Sequence, residues 1–238
     1  LLSLAAALVG SLFFPRITRA RLFLVALVAM VVHVALDVTT SYGTGLLCPF
    51  SDRRFAACWL FIIDPLLWLL CLLPPLVARF VPRFPSRPAW RLAVLIATLY
   101  VFACGGLHHR ALALTRAAAP AATAWALPEP LSPQFWRGIT RQGDTCTVNL
   151  VDVGRGTRQS LVALRTDDTD SLVARLRQSP AGRDLDWFFL IPVWQRDAHS
   201  IEAFDLQFSS ALMTRGRPIH AFHFSTDDPA ALDQATLR

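Results

Sequence analysis

Four apolar runs, separated by short arginine-bearing loops, dominate the first half of this 238-residue chain. They cover residues 1–14, about 21–41, about 58–80 and about 91–107. A helix that spans the bilayer needs about 20 mostly apolar residues. Hydrocarbon offers no partner for exposed backbone groups, so such runs are expected to be helical. The sequence therefore predicts an α-helical membrane domain of about four transmembrane helices, the first of them truncated.

Charge is distributed unequally along the chain. Residues 1–118 hold eleven Arg and three acidic residues, whereas residues 119–238 hold twelve Arg and fourteen acidic residues. The excess Arg lies in the loops after the first and third runs, which the positive-inside rule places in the cytoplasm. The C-terminal domain is then expected on the extracytoplasmic side. A nucleic-acid-binding protein would instead carry a basic stripe on a soluble surface, so nucleic acid is not an expected partner.

The composition changes near residue 117, where the Ala/Pro-rich stretch AAAPAATAWALPEPLSP begins. We predict a transmembrane helical domain over residues 1–116, a linker over 117–130, and a small soluble, mainly β (α+β) domain over 131–238. Within the last domain, short apolar runs between turn residues indicate strands. The candidate strands are 145–153, 158–166, 186–194 and 199–208, and helical spacing indicates one helix over 168–178.

A histidine and all three acidic residues of the membrane half lie in one segment, residues 33–64. His33 and Asp37 are four residues apart, which places them on one face of a helix. Imidazole and carboxylate groups together suit zinc, manganese or iron. Asp64 begins the next run at a depth that matches theirs to within about one helical turn. An ionisable residue in a membrane is a functional hypothesis by default, so we predict a divalent-metal site with His33, Asp37 and Asp64 as ligands.

Other roles remain open for the same residues. The His33–Asp37 pair also suits a structural hydrogen bond between helices, or a proton or ion pathway. Asp64 also suits the N-cap of a helix. Asp52 fits an exposed loop cluster with its neighbouring arginines, and His108 fits an anchor at the membrane interface.

The segment from His33 to Pro65 resembles a known family. Its stretches HVALDVTTSYGT, PFSDRRF and IDP are similar to the bacterial membrane-bound, metal-dependent hydrolases of the YdjM-like family. PEPLSPQFWRG and FFLIPVWQRDAHSIEAFDLQF resemble the C-terminal part of that family more loosely. The resemblance implies a multi-pass protein of the bacterial inner membrane, with further metal ligands in motifs upstream of residue 1. The family pattern carries over to His33, Asp37, Ser41, Tyr42, Gly43, Thr44, Asp52, Arg54 and Asp64.

Taken together, the residues and the resemblance predict a membrane-bound hydrolase with a divalent metal, zinc or alternatively manganese. His33 and Asp37 would bind the metal, Asp64 would be a further ligand or the general base, and Arg54 would stabilise an anionic group. The position at the bilayer edge favours a membrane lipid or lipid-linked ester as substrate. The alternative is a non-enzymatic scaffold or a transporter-like protein whose polar residues pair structurally. The remaining pocket candidates are Ser41, Tyr42, Thr44, Asp52 and His108.

Overall fold

A computed structural model of the chain describes residues 2–81, 86–130, 132–228 and 232–236. The chain divides into two compact units, residues 1–57 and residues 58–238. The division therefore lies well before the boundary expected near residue 116. The second unit contains two apolar helices as well as the β-sheets. They belong to one unit because the longer of these helices extends from the apolar region into the sheet region.

The first unit contains two helices and a folded loop. Helix α1 covers Leu2–Phe13 and helix α2 covers Arg19–Thr39. The two helices pack against each other. None of the side chains of α2 is fully buried, and its apolar residues face outward, as a lipid-facing helix requires. At 1.5 Å per residue its 21 residues extend about 31 Å, which matches the hydrocarbon core of a bilayer.

The second unit begins with a pair of packed helices. Helix α3 covers Pro65–Phe80 and helix α4 covers Ser86–Ala118. Proline at the first position suits the start of α3, since the N–H that proline lacks has no partner there. Among the described residues, two helices, α2 and α4, are long and apolar enough to cross a membrane. Helices α1 and α3 are apolar but shorter. The predicted helical region is confirmed.

Two antiparallel sheets and two short helices follow α4. The first sheet is a four-stranded meander in the order β1-β2-β3-β4, and the second has the order β5-β6-β7. A single turn of 3-10 helix, Leu206–Phe208, follows β6. The elements are β1 (Thr123–Glu129), β2 (Ser132–Gln142), β3 (Thr145–Asp152), β4 (Thr157–Arg165), α5 (Ser171–Gln178), α6 (Pro180–Phe188), β5 (Pro192–Arg196), β6 (Ser200–Asp205) and β7 (Phe222–Ser225).

Each sheet has its own hydrophobic core. The C-terminal part of α4 covers the first sheet, with Ala111 packed among Ala126, Trp136, Val151 and Val153. Helices α5 and α6 cover the second sheet. Their shared core consists of Val173, Leu176, Leu185, Phe189, Trp194, Ile201, Ala203 and Leu232. Helix α4 is therefore an apolar membrane helix in its first half and the cover of a sheet in its second half.

Two predicted segments differ from the structure. From Thr123 the predicted linker is strand β1, because its small Ala126 packs against α4 and Leu127 is fully buried. The strand predicted over residues 186–194 is wrong before Pro192, because residues 186–188 end α6 and residues 189–191 connect α6 to β5. The hydroxyl of Ser179 caps α6 by accepting from the Gly182 N–H at 3.1 Å, and strand β5 begins only at Pro192. The strands predicted near 145–153 and 158–166 and the helix near 168–178 are confirmed.

Candidate functional site

His33 and Asp37 make the contact that their spacing predicts. Both lie on α2, and His33 Nε2 is 3.4 Å from Asp37 Oδ2. The imidazole is 69% exposed and the carboxylate 49% exposed. The exposed large side chains near this pair on α2, such as Val31 and Val32, are apolar, so the pair is the ionisable patch on the C-terminal half of the described helix. It offers one nitrogen ligand and one oxygen ligand side by side.

The SYGT and DRRF motifs fold into one loop after α2. Thr44 and Phe55 exchange two backbone hydrogen bonds, of 2.9 and 3.0 Å. The Arg54 guanidinium donates to the carbonyl oxygens of Tyr42 and Gly43. Gly43 has a φ of +76°, and a Cβ there would lie 3.1 Å from the Cβ of Arg54. Glycine therefore allows both the backbone conformation and the close approach of Arg54, whose observed role is to order this loop.

The remaining loop candidates surround the end of α2. The Thr40 hydroxyl donates to the Asp37 carbonyl oxygen at 2.8 Å, and the Tyr42 N–H donates to the same hydroxyl at 3.4 Å. Ser41 lies between them and is half-buried. Asp52 lies on the exposed part of the loop. The motif residues that resemblance singles out thus form a continuous structure immediately after Asp37.

Asp64 has two well-defined partners in the second unit. Its Oδ1 accepts from the Leu67 N–H at 2.9 Å, so Asp64 is the N-cap of α3. Its Oδ2 accepts from the Tyr100 hydroxyl at 2.7 Å, which ties the start of α3 to α4. The capping role foreseen for Asp64 is confirmed. Tyr100 was missed, although a phenol in an apolar run signals a hydrogen-bond partner, since buried Tyr hydroxyls seek one.

His108 lies in the part of α4 that meets the sheet. Its ring is 5.6 Å from the Trp136 ring and 5.6 Å from the His109 ring, centroid to centroid. It follows Tyr100 by eight residues, which is about 12 Å along a helix. His108 is therefore a packing residue against β2, separated along α4 from the contact between Tyr100 and Asp64.

A buried polar cluster in the sheet region was not predicted. The Glu129 carboxylate accepts from the Ser210 hydroxyl at 2.5 Å and from the Ala211 and Leu212 N–H groups at 2.8 and 3.1 Å. It also lies 3.6 Å from the guanidinium of Arg137, which is 3% exposed. Burial lowers the pKa of Arg137, although the neighbouring Glu129 and Asp205 carboxylates oppose that shift. No local sequence pattern predicts these contacts, because they join residues about eighty positions apart.

Asp205 belongs to the same buried region. Its carboxylate accepts from the N–H groups of Leu190, Ile191 and Gln207 at 2.6, 2.9 and 2.8 Å. Burial raises the pKa of the Asp205 carboxyl, and these hydrogen bonds oppose that shift. The Arg137 guanidinium donates to the Gln207 carbonyl oxygen at 3.0 Å. These contacts connect the two sheets and have a structural role.

The predicted metal ligands do not gather into a larger donor set. In the described part of the chain, no group of three or more His, Cys, Asp and Glu side chains is placed to hold a metal ion. His33 and Asp37 fit two positions of a zinc site, which usually has three or four protein ligands. Two donors are fewer than a complete zinc site has, so the pair alone does not define a metal centre.

Taken together, these observations define a class: an integral membrane protein whose helical region continues into a β-sheet domain. The model of the YdjM inner membrane protein family matches residues 1–111. The matched segment includes the motif-bearing loop and α3, and the match confirms the resemblance drawn from the motifs. No curated protein and no solved structure matches the chain.

Proposed function

We propose that this inner membrane protein is a metal-dependent hydrolase whose substrate is a lipid or a lipid-linked ester. The observation that carries the proposal is the His33–Asp37 pair, which holds an imidazole and a carboxylate 3.4 Å apart among the exposed apolar side chains of the C-terminal half of α2. A bound zinc or manganese ion would supply hydroxide at neutral pH by lowering the pKa of its water to about 7. The apolar surroundings of the pair favour a lipid as the molecule that reaches it.

The other motif residues support this role through their positions. Arg54 holds the loop that follows Asp37 by donating to the Tyr42 and Gly43 carbonyl oxygens, and we assign it the binding of an anionic group of the substrate. We assign Asp64 the role of further ligand or general base. A carboxylate offers about four lone-pair sites, so its bonds to Leu67 and Tyr100 leave acceptor capacity for that role.

The metal content of the full chain tests the proposal. The protein, purified in lipid nanodiscs, should retain zinc or manganese in a stoichiometric amount, measured by mass spectrometry of the elements. His33→Ala and Asp37→Ala should each lose the metal, because each removes one ligand. His109→Ala is the matched control, since it removes an exposed helical histidine outside the pair. A metal-free wild type, or full retention of metal by His33→Ala, would refute the assignment.

A second candidate is a non-enzymatic membrane scaffold, or a transporter-like protein, that holds the β domain at the bilayer. Asp64 favours it, because both of its carboxylate oxygens already serve structure by capping α3 and binding Tyr100. The scaffold predicts that Asp64→Ala lowers the unfolding temperature in nanodiscs and abolishes no turnover. The hydrolase predicts that Asp64→Ala abolishes turnover of a phospholipid or acyl ester; the metal is lost as well if Asp64 is a ligand and retained if Asp64 is the general base.

A further inference from the structure

An ordered turn of the β-sheet region presents apolar side chains outward. Residues 210–219, here called the 210–219 turn, include Met213, which is 73% exposed, together with exposed Leu212 and Ile219. The turn is held internally, since the Gly216 N–H donates to the Ser210 carbonyl oxygen at 2.8 Å. Exposing apolar surface to water costs about 25 cal/mol per Å². An ordered turn with these side chains therefore indicates a partner that removes them from water.

The register between α4 and the first sheet shows which end of the sheet faces the bilayer. Thr115 of α4 lies against Gly138 of β2, where an added Cβ would be 2.5 Å from its hydroxyl oxygen. Nearer the membrane half of α4, His108 lies against Trp136 of β2, with ring centroids 5.6 Å apart. The end of β2 that lies nearest to the bilayer is therefore its start. Its antiparallel neighbour β1 must then approach the bilayer at its end, which is Glu129.

Glu129 holds the 210–219 turn at that end. In the register, Trp136 pairs with Pro128, so Glu129 lies about 3 Å closer to the bilayer than the Trp136 level. Its carboxylate accepts from the Ala211 and Leu212 N–H groups, which holds the first residues of the turn near this height. Farther along the turn, Gly216 lies against Val148 and Val162, near the middle of the sheet. On α4, Phe102 is the large exposed apolar residue that lies nearest to the sheet in sequence. It precedes His108 by about 9 Å along the helix axis, on the side toward the bilayer. Leu212 is therefore held near the bilayer-facing end of the sheet, and Met213 follows it directly in the turn.

Basic residues lie within the turn and at the bilayer-facing end of the sheet. Arg215 and Arg217 are exposed within the turn. Arg110 of α4 reaches the loop between β3 and β4, where its guanidinium lies 4.0 Å from the Cβ position of Gly156. Arg155 in that loop is 81% exposed. Apolar side chains flanked by arginines are the combination that inserts into an interface and binds lipid phosphates.

We propose that the 210–219 turn is a second membrane contact, which inserts Leu212 and Met213 into the interfacial layer of an anionic phospholipid bilayer. Arg215 and Arg217 bind the phosphate groups around it. The turn would thereby hold the bilayer-facing end of the sheet in contact with the membrane that α4 crosses. This proposal is independent of the hydrolase assignment, since it uses neither His33 nor Asp37.

Spin labels on the full chain test the insertion. The background carries Cys48→Ser and Cys71→Ser, which removes the exposed thiols and leaves the buried Cys58, Cys104 and Cys146 in place. Single labels are attached at Met213→Cys, at Leu212→Cys and, as a control, at Gln142→Cys. Gln142 lies at the opposite end of β2, about 20 Å farther from the bilayer than Trp136. The labelled protein is inserted in vesicles of phosphatidylcholine and phosphatidylglycerol.

Two results are expected. Two relaxing agents are compared: oxygen, which concentrates in the bilayer, and a water-soluble nickel complex. Oxygen should relax the spin labels at positions 212 and 213 more strongly than the nickel complex does. At position 142 the nickel complex should have the stronger effect. Arg215→Gln with Arg217→Gln, or vesicles of phosphatidylcholine alone, should shift the label at position 213 toward nickel accessibility. Water-like accessibility at both 212 and 213 would overturn the insertion. An unchanged depth in the arginine variants and in neutral vesicles would overturn the role given to the phosphates.

Discussion

Asp64 shows how a single carboxylate can join two helices at the edge of an apolar region. One oxygen caps α3 and the other accepts from Tyr100, so the side chain is fixed by partners 3 and 36 residues away in sequence. Both contacts are worth more at low dielectric, where an unpaired carboxylate is costly. Asp64 is therefore a structural anchor, whether or not it also serves chemistry.

Removing the Tyr100 hydroxyl should loosen this anchor. Tyr100→Phe deletes the bond to Asp64 Oδ2 without removing the ring, and we expect a loss of about 0.5–1.5 kcal/mol in the free energy of unfolding. Unfolding of the full chain in mixed detergent micelles measures it. Thr98→Val is the control, because the Thr98 hydroxyl donates only within its own helix, to the Val94 carbonyl oxygen. Equal stability of Tyr100→Phe and Thr98→Val would contradict the anchoring role.

At the scale of elements, helix α5 depends on its N-cap. Asp170 accepts from the Leu172 and Val173 N–H groups at 2.8 and 3.2 Å and forms an ion pair with Arg196 at 3.0 Å. Burial alone would raise the pKa of the Asp170 carboxyl, but these hydrogen bonds and the Arg196 charge lower it below its ordinary value. The ionised form is thus the one that the folded state prefers.

A pH dependence follows from that preference. A carboxyl with a depressed folded pKa adds stability that is complete above its unfolded pKa, about 3.9, and is lost as the pH falls through the folded pKa. Asp170→Ala should cost about 1 kcal/mol at pH 7, and its difference from the wild type should shrink below about pH 4. Unfolding followed by near-ultraviolet circular dichroism of the α5 core measures it. A difference that is constant down to pH 3 would rule out the ionised cap.

Close contact between α4 and the first sheet depends on Gly138. A Cβ at this position would lie 2.5 Å from Thr115 Oγ1 and 2.9 Å from Val151 Cγ2, so Gly138→Ala should overpack the interface. We expect a loss of about 1–3 kcal/mol in the free energy of unfolding. Gly106→Ala is the matched control on α4, because nothing lies within 4 Å of its Cβ position. Thermal unfolding in nanodiscs should show a lower transition for Gly138→Ala alone, partly restored by adding Thr115→Ala.

Local sequence patterns account for the helices and for much of the first sheet. Apolar runs of sufficient length predict α2 and α4, and alternation between turn residues predicts β3 and β4. The His33–Asp37 contact follows from helical spacing alone. Contacts between distant residues could not be predicted in this way, since the Glu129–Ser210 bond joins the end of β1 to the 210–219 turn, and their approach depends on the whole fold. Strand β1 was missed because its alanines, which suit a linker, are needed for close packing on α4.

At the scale of the whole molecule, α4 fuses the membrane region and the β region within the second unit. Its first half is apolar and exposed up to Phe102, and its second half buries Ala111 and Thr115 completely against the first sheet. An uninterrupted helix transmits position and rotation from one region to the other, unlike a flexible linker. The β-sheet domain is therefore fixed in orientation relative to α3 and α4.

The same arrangement predicts how fragments behave. A fragment of residues 119–238 lacks the helix that covers Ala126, Trp136, Val151 and Val153, whereas a fragment of residues 106–238 retains it. An exposed apolar sheet face promotes aggregation, so the shorter fragment should bind an apolar dye such as anilinonaphthalene sulfonate and elute as large species in size-exclusion chromatography. The longer fragment should bind much less dye and elute mainly as a small species. Equal dye binding by the two fragments would show that the end of α4 is dispensable for the first sheet, and the β domain would then be an independent unit rather than a continuation of the membrane helix.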